Sequence, residues 1–303
     1  MAGSPKVVSD GMICQNTFLC IRKSASSEVV MPTLKVNQAD CSCCGECAAT
    51  CPLRIIRLPD GNFPRFCDDG ADRCIICGHC EAVCPSGAIT VEDPRLDPTS
   101  YPDPQPPIPK EQFARHLRMR RSIRRFSPEP VERETLQELL ELMRYAPTGM
   151  NCQEVQWLVI YDTAELRRLS GLVVDWMRHV ADQAPPGGLK INFEGMIKSW
   201  EKGNDPISRK APHLVLTHAR QDLSLGRVDG LIALSYLDLA APAYGIGSCW
   251  AGYFQYACEG WQPLRDALGL PEGDQPIYAM LLGRPAVRYQ RPPKRNFANV
   301  SWR

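Results

Sequence analysis

The sequence lacks a strong excess of charge, a long apolar run and a nucleotide-binding glycine motif. Its 35 basic and 34 acidic side chains give a formal charge of +1, so overall charge does not favour nucleic acid or an anionic membrane as a partner. No run of about 18 apolar residues is present that would span a bilayer. The N-terminus has no apolar core followed by a small-residue cleavage site, so we expect a cytoplasmic protein. No G-x-G-x-x-G motif follows a strand, so no nicotinamide site is evident.

Cysteine, in contrast, is abundant, with 15 residues in a chain of 303. Because the count is odd, the cysteines cannot all pair as disulfides within one chain. Eight of them form two runs of the pattern C-x-x-C-x-x-C-x-x-x-C-P, offset by 33 residues. The first run contains Cys41, Cys44, Cys47 and Cys51, and the second contains Cys74, Cys77, Cys80 and Cys84. A short β-prone stretch follows each run, at 53–58 and 88–91, so the two halves are expected to form one small domain.

The spacing of the runs is typical of proteins that bind two [4Fe-4S] clusters. Three thiolates on a tight turn reach three corners of one cubane, and the fourth, a helical turn later, points towards the other cluster. We therefore expect one cluster on Cys41, Cys44, Cys47 and Cys84, and the second on Cys74, Cys77, Cys80 and Cys51. A pair of zinc sites is the alternative, but zinc has no use for a third cysteine at the same spacing followed by Cys-Pro. Over residues 35–92 the sequence resembles bacterial 2[4Fe-4S] ferredoxins.

Two further cysteines depart from this pattern. Cys43 lies inside the first run and Cys67 lies between the runs. Each is expected either to pack as a small apolar group or to compete for cluster ligation. Gly45 and Gly78 are expected to keep the backbone close to the cluster sulfides, whose charge is stabilised by backbone N–H groups.

The chain divides by composition into four segments. Residues 1–34 are an N-terminal extension, 35–92 the cysteine domain, 93–112 a proline-rich linker that favours extended polyproline conformation, and 113–303 a second domain. In this second domain, leucines at helical spacing from position 136 to 143 predict a helix, and apolar runs at 155–161, 213–217 and 278–282 predict strands. The sum is a layered α+β or α/β domain, of which we favour α+β. A mostly apolar helix at 228–241 is expected in a deep core or at a subunit interface.

A cluster of five arginines and a serine occupies residues 118–126, RMRRSIRRF. Arg120, Ser122 and Arg124 alternate, so in an extended or turn-like segment they are able to converge on one anion. The alternative is an ordinary solvated basic stretch.

Four segments in order carry a resemblance to a known family. They are RMRRSIRRF, YAPTGMNCQ (145–153), GIGSCWAG (245–252) and LLGRP (281–285), the last followed by the basic run RPPKR. Over residues 115–298 the sequence resembles the FMN-dependent nitroreductase family. The resemblance implies an α+β fold, bound FMN, and a homodimer in which each FMN site uses both subunits.

The resemblance also implies which residues contact FMN. The phosphate is expected at Arg120, Arg121 and Ser122, with Lys294 and Arg295 as a second set of cations. Arg124 is expected at the pyrimidine edge of the ring, and the backbone N–H groups of Ala251 and Gly252 at N5 and O4. Ribityl or ring contacts are expected from the segment that contains Pro147, Thr148, Gly149, Asn151 and Gln153. No dedicated catalytic acid is recognisable; solvent or Tyr253 are candidates for the proton source.

Together these features predict an oxidoreductase. We expect a low-potential one-electron donor, such as reduced ferredoxin, to deliver electrons through the two clusters to FMN, which reduces an electron-poor nitroarene, quinone or enone. The alternatives are an electron-transfer partner without a substrate of its own, a redox sensor, and a reductive dehalogenase related to the deiodinases. The segment 163–210 is expected either to cap the substrate or to form an ordinary surface helical pair.

Overall fold

The structure, a computed structural model, describes residues 30–97, 107–183 and 191–303. The chain divides into two compact units. Unit 1 comprises the residues before Pro106 together with Gly149–Cys152, and unit 2 comprises Pro106–Thr148 and Gln153–Arg303. Most of the expected N-terminal extension and the middle of the expected linker therefore lie outside the described residues.

Unit 1 consists of short helices and two small antiparallel sheets. Strand β1 pairs with β4, which joins Leu34 to Val91 and Val36 to Ile89, and β2 pairs with β3. The elements are β1 (Thr33–Val36), α1 (Glu46–Thr50), β2 (Ile56–Arg57), β3 (Arg65–Phe66), α2 (Gly70–Arg73), α3 (His79–Ala82) and β4 (Ile89–Glu92). The strand predicted at 53–58 is thus reduced to two residues, and the one predicted at 88–91 extends from Ile89 to Glu92.

The repeat seen in the cysteine runs recurs in the backbone of unit 1. Helices α1 and α3 each follow a glycine in the left-handed conformation, Gly45 with φ 80° and Gly78 with φ 69°. The same offset relates Cys43, with φ 54°, to Ile76, with φ 53°. A positive φ is uncommon for residues that carry a Cβ. Its recurrence at matching positions shows that the two halves share a backbone course as well as a sequence pattern.

Unit 2 is built on a four-stranded sheet in the order β5-β6-β8-β7. Every pairing in it is antiparallel, which makes the fold α+β, as predicted, rather than α/β. The elements are α4 (Lys110–Met119), α5 (Arg133–Met143), β5 (Gln156–Ile160), α6 (Thr163–Gln183), α7 (Phe193–Glu201), β6 (His213–Arg220), α8 (Gly226–Ala240), β7 (Gly247–Trp250), α9 (Gly252–Gly260), α10 (Gln262–Leu268) and β8 (Asp274–Gly283).

Helices cover both faces of this sheet. Successive side chains of a strand point to opposite faces, and in β6 Leu214 and Leu216 join the core formed with α6, α9 and α10. Val215 joins a second core, formed with α5 and α8. Because β6 carries apolar groups on both faces, seven of its eight residues are buried. The residues that follow β7 therefore continue directly from a well-packed sheet.

Helix α8 is the predicted apolar helix, and only part of its surface is buried. Ala233, Leu234 and Leu237 face the core, whereas Val228 and Tyr236 are 51% and 43% exposed. A deep core is therefore the wrong interpretation of this helix. The exposed apolar side chains agree with the other predicted possibility, a subunit interface.

Helices α6 and α7 form the pair predicted in the segment 163–210. Trp176, Met177 and Phe193 are buried in the core, and Trp200 packs against it. Core packing accounts for the positions of these four side chains without a ligand. Among the described residues, no helix combines the length and the apolar character needed to cross a membrane.

Candidate functional site

The cysteines of unit 1 line two separate cavities. The first, which we call cavity 1, measures about 340 Å³, part of it open to solvent. Its cysteines are Cys41, Cys43, Cys44, Cys47 and Cys84. Cavity 2 measures about 360 Å³ and is likewise partly open. Its cysteines are Cys51, Cys74, Cys77 and Cys80. Each cavity thus combines three cysteines of one run with the fourth cysteine of the other run.

The electrostatics of the thiols reflect the same grouping. Burial raises the pKa of Cys47, and the charge of Cys84 contributes to that rise. Burial likewise raises the pKa of Cys74, with a contribution from Cys51. For Cys80, burial raises the pKa to about 12. Thiols in this state become thiolates only when a cation compensates their charge, as iron does in a cluster.

Cys84 differs from these buried cysteines. Burial on its own would raise its pKa, but hydrogen bonds from Ala88, Ser86 and Ile89 together lower it. The backbone N–H of Ala88 donates to the Cys84 sulfur at 3.2 Å. Backbone N–H groups aimed at sulfur are the donors that stabilise a cluster-bound thiolate.

The two cavities fit a cluster better than a single metal ion. Four sulfurs on one zinc ion lie about 2.3 Å from it and therefore close to each other. Across the described ranges, no three His, Cys, Asp or Glu side chains converge as ligands of one ion. Soft thiolates suit zinc and iron-sulfur clusters alike, so it is the lack of convergence on one point among the described residues that disfavours zinc.

The two additional cysteines occupy different places. Cys43 is exposed and lines cavity 1 with the predicted ligands, so competition for ligation stays a possibility there. Cys67 lines neither cavity. Its sulfur donates to Asp69 at 3.1 Å, and this hydrogen bond, with burial, raises its pKa.

The arginine segment of unit 2 leaves the helical conformation after its first two residues. Helix α4 ends at Met119, and the chain then runs beside β7, with the N–H of Ile123 donating to Ser248 O at 2.8 Å. Ile123 and Phe126 are buried, whereas Arg124 is exposed. The alternation of the sequence therefore separates the arginines from the apolar side chains that anchor the segment.

Asp238 of helix α8 organises one end of this segment. Its carboxylate lies 3.1 Å from Arg120 Nη1 and accepts hydrogen bonds from the Ser248 hydroxyl and from Trp250 Nε1, the latter at 3.1 Å. A buried carboxylate requires such partners. Asp238 thus fixes the direction of the Arg120 guanidinium.

A third cavity, cavity 3, contains Arg124 and lies where β7 leads into α9. It measures about 860 Å³, including space open to solvent. Its lining residues are Arg124, Ile191, Pro206, Ile207, Arg209, Cys249, Trp250, Ala251, Gly252, Tyr253, Phe254, Tyr256 and Leu281. The N–H of Ala251 donates to Ala279 O at 2.9 Å. Gly252 is the first residue of α9, and N–H groups in the first turn of a helix have no partner within the helix.

A fourth cavity, cavity 4, holds the other predicted arginines. It is wide and open, about 1440 Å³, and is lined by Arg120, Arg121 and Ser248 together with Arg288 and Tyr289. The Arg121 guanidinium lies 5.8 Å from the centre of the Tyr289 ring. Cations gathered around a concave surface favour binding of an anion such as a phosphate.

The family assignment rests on the sequence of unit 2. The sequence model described as "Nitroreductase family" matches residues 117–284, more than half of the 303 residues. The chain belongs to the nitroreductase family. A second model, "4Fe-4S binding domain", matches residues 70–90. The predicted fusion of a ferredoxin-type segment with a nitroreductase domain is therefore confirmed, although the matched cluster motif covers the second cysteine run alone.

Curated relatives extend the match. The chain is 29% identical over 178 residues to "FMN reductase [NAD(P)H]" of Bacillus subtilis, covering 57% of this chain and 66% of that one. It is 30% identical over 134 residues to "Iodotyrosine deiodinase" of Thermotoga neapolitana, covering 43% and 67%. The chain thus spans about two thirds of the length of these two relatives. The predicted class, an FMN-dependent oxidoreductase, is confirmed.

Solved structures show the same fold. A nitroreductase with bound FMN from Bacteroides fragilis matches with a TM-score of 0.51 and 20% identity, covering 63% of this chain and 99% of that one. An FMN-dependent nitroreductase from Clostridium difficile matches with a TM-score of 0.50 and 19% identity, covering 64% and 100%. At this level of identity the likeness supports the nitroreductase fold for the second domain.

The predicted FMN contacts of this nitroreductase domain fall into two groups. Arg124, Ala251 and Gly252 line cavity 3, and Arg120 and Arg121 line cavity 4. These residues fit FMN. Arg124 offers a cation for the edge of the ring, the start of α9 offers N–H groups, and cavity 4 offers cations for the phosphate. Since the N–H of Ala251 is already bonded, Gly252 is the better candidate for N5 or O4.

Several predicted contacts lie elsewhere. Ser122 lines neither cavity, and Lys294 and Arg295 are exposed in the C-terminal segment. Pro147 is exposed as well, while Thr148 Oγ1 accepts the N–H of Gln153 at 3.1 Å. Lys294 and Arg295 do not line cavity 4, whereas Arg288 does.

Two of the predicted contacts, Gly149 and Asn151, belong to unit 1. Asn151 Nδ2 donates to the carbonyl oxygens of Ile75 and Ile76 at 2.9 and 3.1 Å. These two residues separate Cys74 from Cys77. A tight turn in which Met150 and Asn151 have φ values of 52° and 54° directs the amide there. Asn151 therefore contacts the second cysteine run.

Proposed function

We propose that this chain takes electrons singly from a low-potential donor, through two [4Fe-4S] clusters, and delivers them by way of FMN to an electron-poor organic acceptor. When bound, FMN supplies the exchange between one-electron and two-electron chemistry. The main support is that cavities 1 and 2 each combine three cysteines of one run with the fourth cysteine of the other run. Each offers the four cysteines predicted as ligands of one cluster, with Cys43 as a fifth cysteine in cavity 1, and this crossed arrangement is typical of a small unit that holds two clusters.

Residues of unit 2 would hold the FMN. Arg124 offers a guanidinium without an acidic partner among the described residues, and a cation beside the pyrimidine edge stabilises negative charge there. Arg120, oriented by Asp238, and Arg121 supply charge for the phosphate. Gly252 supplies a free N–H at the start of α9 and, lacking a Cβ, permits close approach.

The lining of cavity 3 supports a small-molecule acceptor. Trp250, Tyr253 and Tyr256 contribute flat aromatic surfaces. The part of the cavity that water can enter measures about 370 Å³, which lies within the range of ligand pockets in enzymes. Stacking favours a flat acceptor such as a nitroarene, quinone or conjugated enone. A cavity of this kind disfavours the alternative in which the chain is an electron-transfer partner without a substrate. Four described residues of the segment 163–210 line this cavity: Ile191, Pro206, Ile207 and Arg209.

The proposal extends to organisation and partners. Residues 35–92 form the ferredoxin-type domain and 113–303 the FMN domain, joined by the linker at 93–112, of which residues 110–112 belong to helix α4. Two copies associate through surfaces that include the exposed Val228 and Tyr236 of α8. The donor is a ferredoxin-like protein, and the location is cytoplasmic, without a nucleic-acid or membrane partner.

The test begins with anaerobic purification and counts of iron, sulfide and flavin. The expected result is about eight iron and about eight sulfide per chain, together with one FMN. Stopped-flow reduction of the flavin by reduced ferredoxin is then compared with reduction by NADH. Faster reduction by NADH than by any one-electron donor contradicts the relay, and zinc in place of iron contradicts the clusters.

A further inference from the structure

Arg209, which no sequence motif indicated, lies on a rigid loop between α7 and β6. The buried side chain of Asp205 accepts hydrogen bonds from the N–H groups of Ile207, Ser208 and Lys210 at 3.1, 2.9 and 3.0 Å, and from the Ser208 hydroxyl. Four donors on one carboxylate tie residues 205–210 into a closed turn. The position of Arg209 is thereby determined by the fold.

The backbone of this turn is held in a conformation that few residues adopt. Arg209 and Lys210 have φ values of 56° and 58°, in the left-handed region that costs roughly 1–2 kcal/mol for a residue with a Cβ. Such conformations persist where surrounding contacts impose them, and here Asp205 does so. The Arg209 side chain is directed into cavity 3 as a result, while Lys210 is exposed and does not line it.

Arg209 brings a second cation to cavity 3 in addition to Arg124. Among the described residues neither guanidinium has an acidic partner, in contrast to Arg120, which is paired with Asp238. Burial raises the pKa of the Cys249 thiol, and the charges of Arg124 and Arg209 both oppose that rise. Both cations therefore lie within electrostatic reach of the same atom in the cavity wall.

We propose that Arg209 is a specificity-determining residue that binds a carboxylate on the electron acceptor. The proposal rests on the proposed function, which assigns Arg124 to FMN and leaves Arg209 for the substrate. A guanidinium binds a carboxylate through two parallel hydrogen bonds, and a single guanidinium balances its one negative charge, whereas a phosphate carries nearly two. With Tyr253 and Tyr256 as aromatic walls, the acceptor class is a flat, electron-poor ring bearing a carboxylate.

The test compares two acceptors that differ in charge alone, 4-nitrobenzoate and 4-nitrobenzamide, on the holoenzyme. Arg209→Gln is expected to lower kcat/KM for nitrobenzoate roughly tenfold or more, the loss typical of one charge-assisted hydrogen bond, and to leave nitrobenzamide unchanged. Arg209→Lys is expected to lose less. Lys210→Gln is the matched control, since it removes an equal charge from the same turn outside the cavity, and it is expected to leave both acceptors unchanged.

Two binding measurements keep this inference separate from the proposed function. The first is the Kd of unreactive benzoate, expected to weaken by the same factor in Arg209→Gln. The second is the Kd of FMN, expected to stay constant. If wild type reduces neither acceptor, the proposed function fails, and the benzoate Kd alone decides the role of Arg209. Equal losses for both acceptors, an unchanged benzoate Kd, or a weakened FMN Kd would overturn the inference.

Discussion

The two units of this chain place their chemistry on different kinds of framework. In unit 1 the eight cysteines come from two short runs, and the spacing within each run determines which cavity a thiol enters. In unit 2 the lining of cavity 3 brings together Arg124, Arg209 and Gly252, which are far apart in sequence and meet because the sheet and its flanking helices place them there. A site built from residues close together in the chain is therefore predictable from the sequence, whereas a site built from distant segments is not.

The cores of the two units differ in the same way. Cys47, Cys74 and Cys80 are themselves buried members of the unit 1 core, beside residues such as Ile56 and Ile89. Unit 2 instead buries large apolar side chains completely, with Leu166, Leu169, Met177, Leu214 and Phe254 each at 0–1% exposure. The folding of unit 1 is therefore expected to depend on its clusters, and the folding of unit 2 is not.

Removal of iron should produce the largest effect and sharpen this contrast. Because cluster binding and folding are coupled when ligands form the core, chelation under oxidising conditions is expected to unfold unit 1. Hydrogen exchange measured by mass spectrometry should show loss of protection in β1 and β4, with β6 unchanged. Protection of β1 and β4 that survives complete iron loss would break the comparison.

The crossed ligand sets predict a pattern among cysteine variants. Cys84→Ala is expected to lose the same cluster as Cys41→Ala, because both line cavity 1, so each single variant and their double should retain about half of the iron. Combining Cys84→Ala with Cys74→Ala should remove both clusters. Cys67→Ala is the control, because Cys67 lines neither cavity, and it should keep all of its iron. If Cys84→Ala and Cys74→Ala together retain half, the two ligand sets are not crossed.

Substitution of Arg124 tests the proposed FMN site of unit 2. Arg124→Gln should weaken FMN binding roughly ten- to hundredfold, the range expected when one charged hydrogen bond is lost. The Kd of FMN, measured by quenching of its fluorescence, reports the effect. Arg168→Gln serves as the control, since that residue is exposed on α6 and bonded to Glu165. An unchanged affinity in Arg124→Gln would remove this arginine from the flavin site.

The smallest expected effect concerns Asn151, whose amide holds two carbonyls of the second cysteine run. Asn151→Asp keeps the size and tolerates the left-handed conformation but replaces the donor with an acceptor. We expect iron to leave the cluster of cavity 2 several-fold faster in the presence of a chelator, with the cluster of cavity 1 unaffected. Met150→Leu, on the same turn, is the control. Equal rates in wild type and Asn151→Asp would reduce Asn151 to a surface contact.

How much the sequence predicts follows from the same contrast. The cysteine runs predict how the eight ligand cysteines divide between the two cavities. Three strands of unit 2 lie close to their predicted positions, whereas β7 (Gly247–Trp250) was not predicted. Arg209 carries no motif, and the turn that directs it depends on Asp205, whose role appears only in three dimensions. The contact of Asp238 is indicated by the sequence, because a carboxylate within an apolar helix needs a partner. Arg120 is that partner.

Asn151 shows the opposite limit. Its place in the family pattern indicated a flavin contact, but the pattern contains no information about the left-handed turn at residues 150 and 151. The turn at residues 150 and 151 changes the direction of the Asn151 side chain, although the sequence still matches the family pattern. The family pattern therefore gives no indication of the hydrogen bonds that Asn151 makes within unit 1.

The most direct measurement of the central claim, that electrons reach FMN by way of the clusters, is anaerobic stopped-flow reduction of the flavin. Wild type and the variant Cys51→Ala/Cys84→Ala, reconstituted with equal FMN, are mixed with the same reduced ferredoxin. The account predicts that the variant, which lacks a ligand in each of cavities 1 and 2, loses rapid flavin reduction while retaining reduction by dithionite. Flavin reduction by ferredoxin at the wild-type rate in the variant would contradict the account.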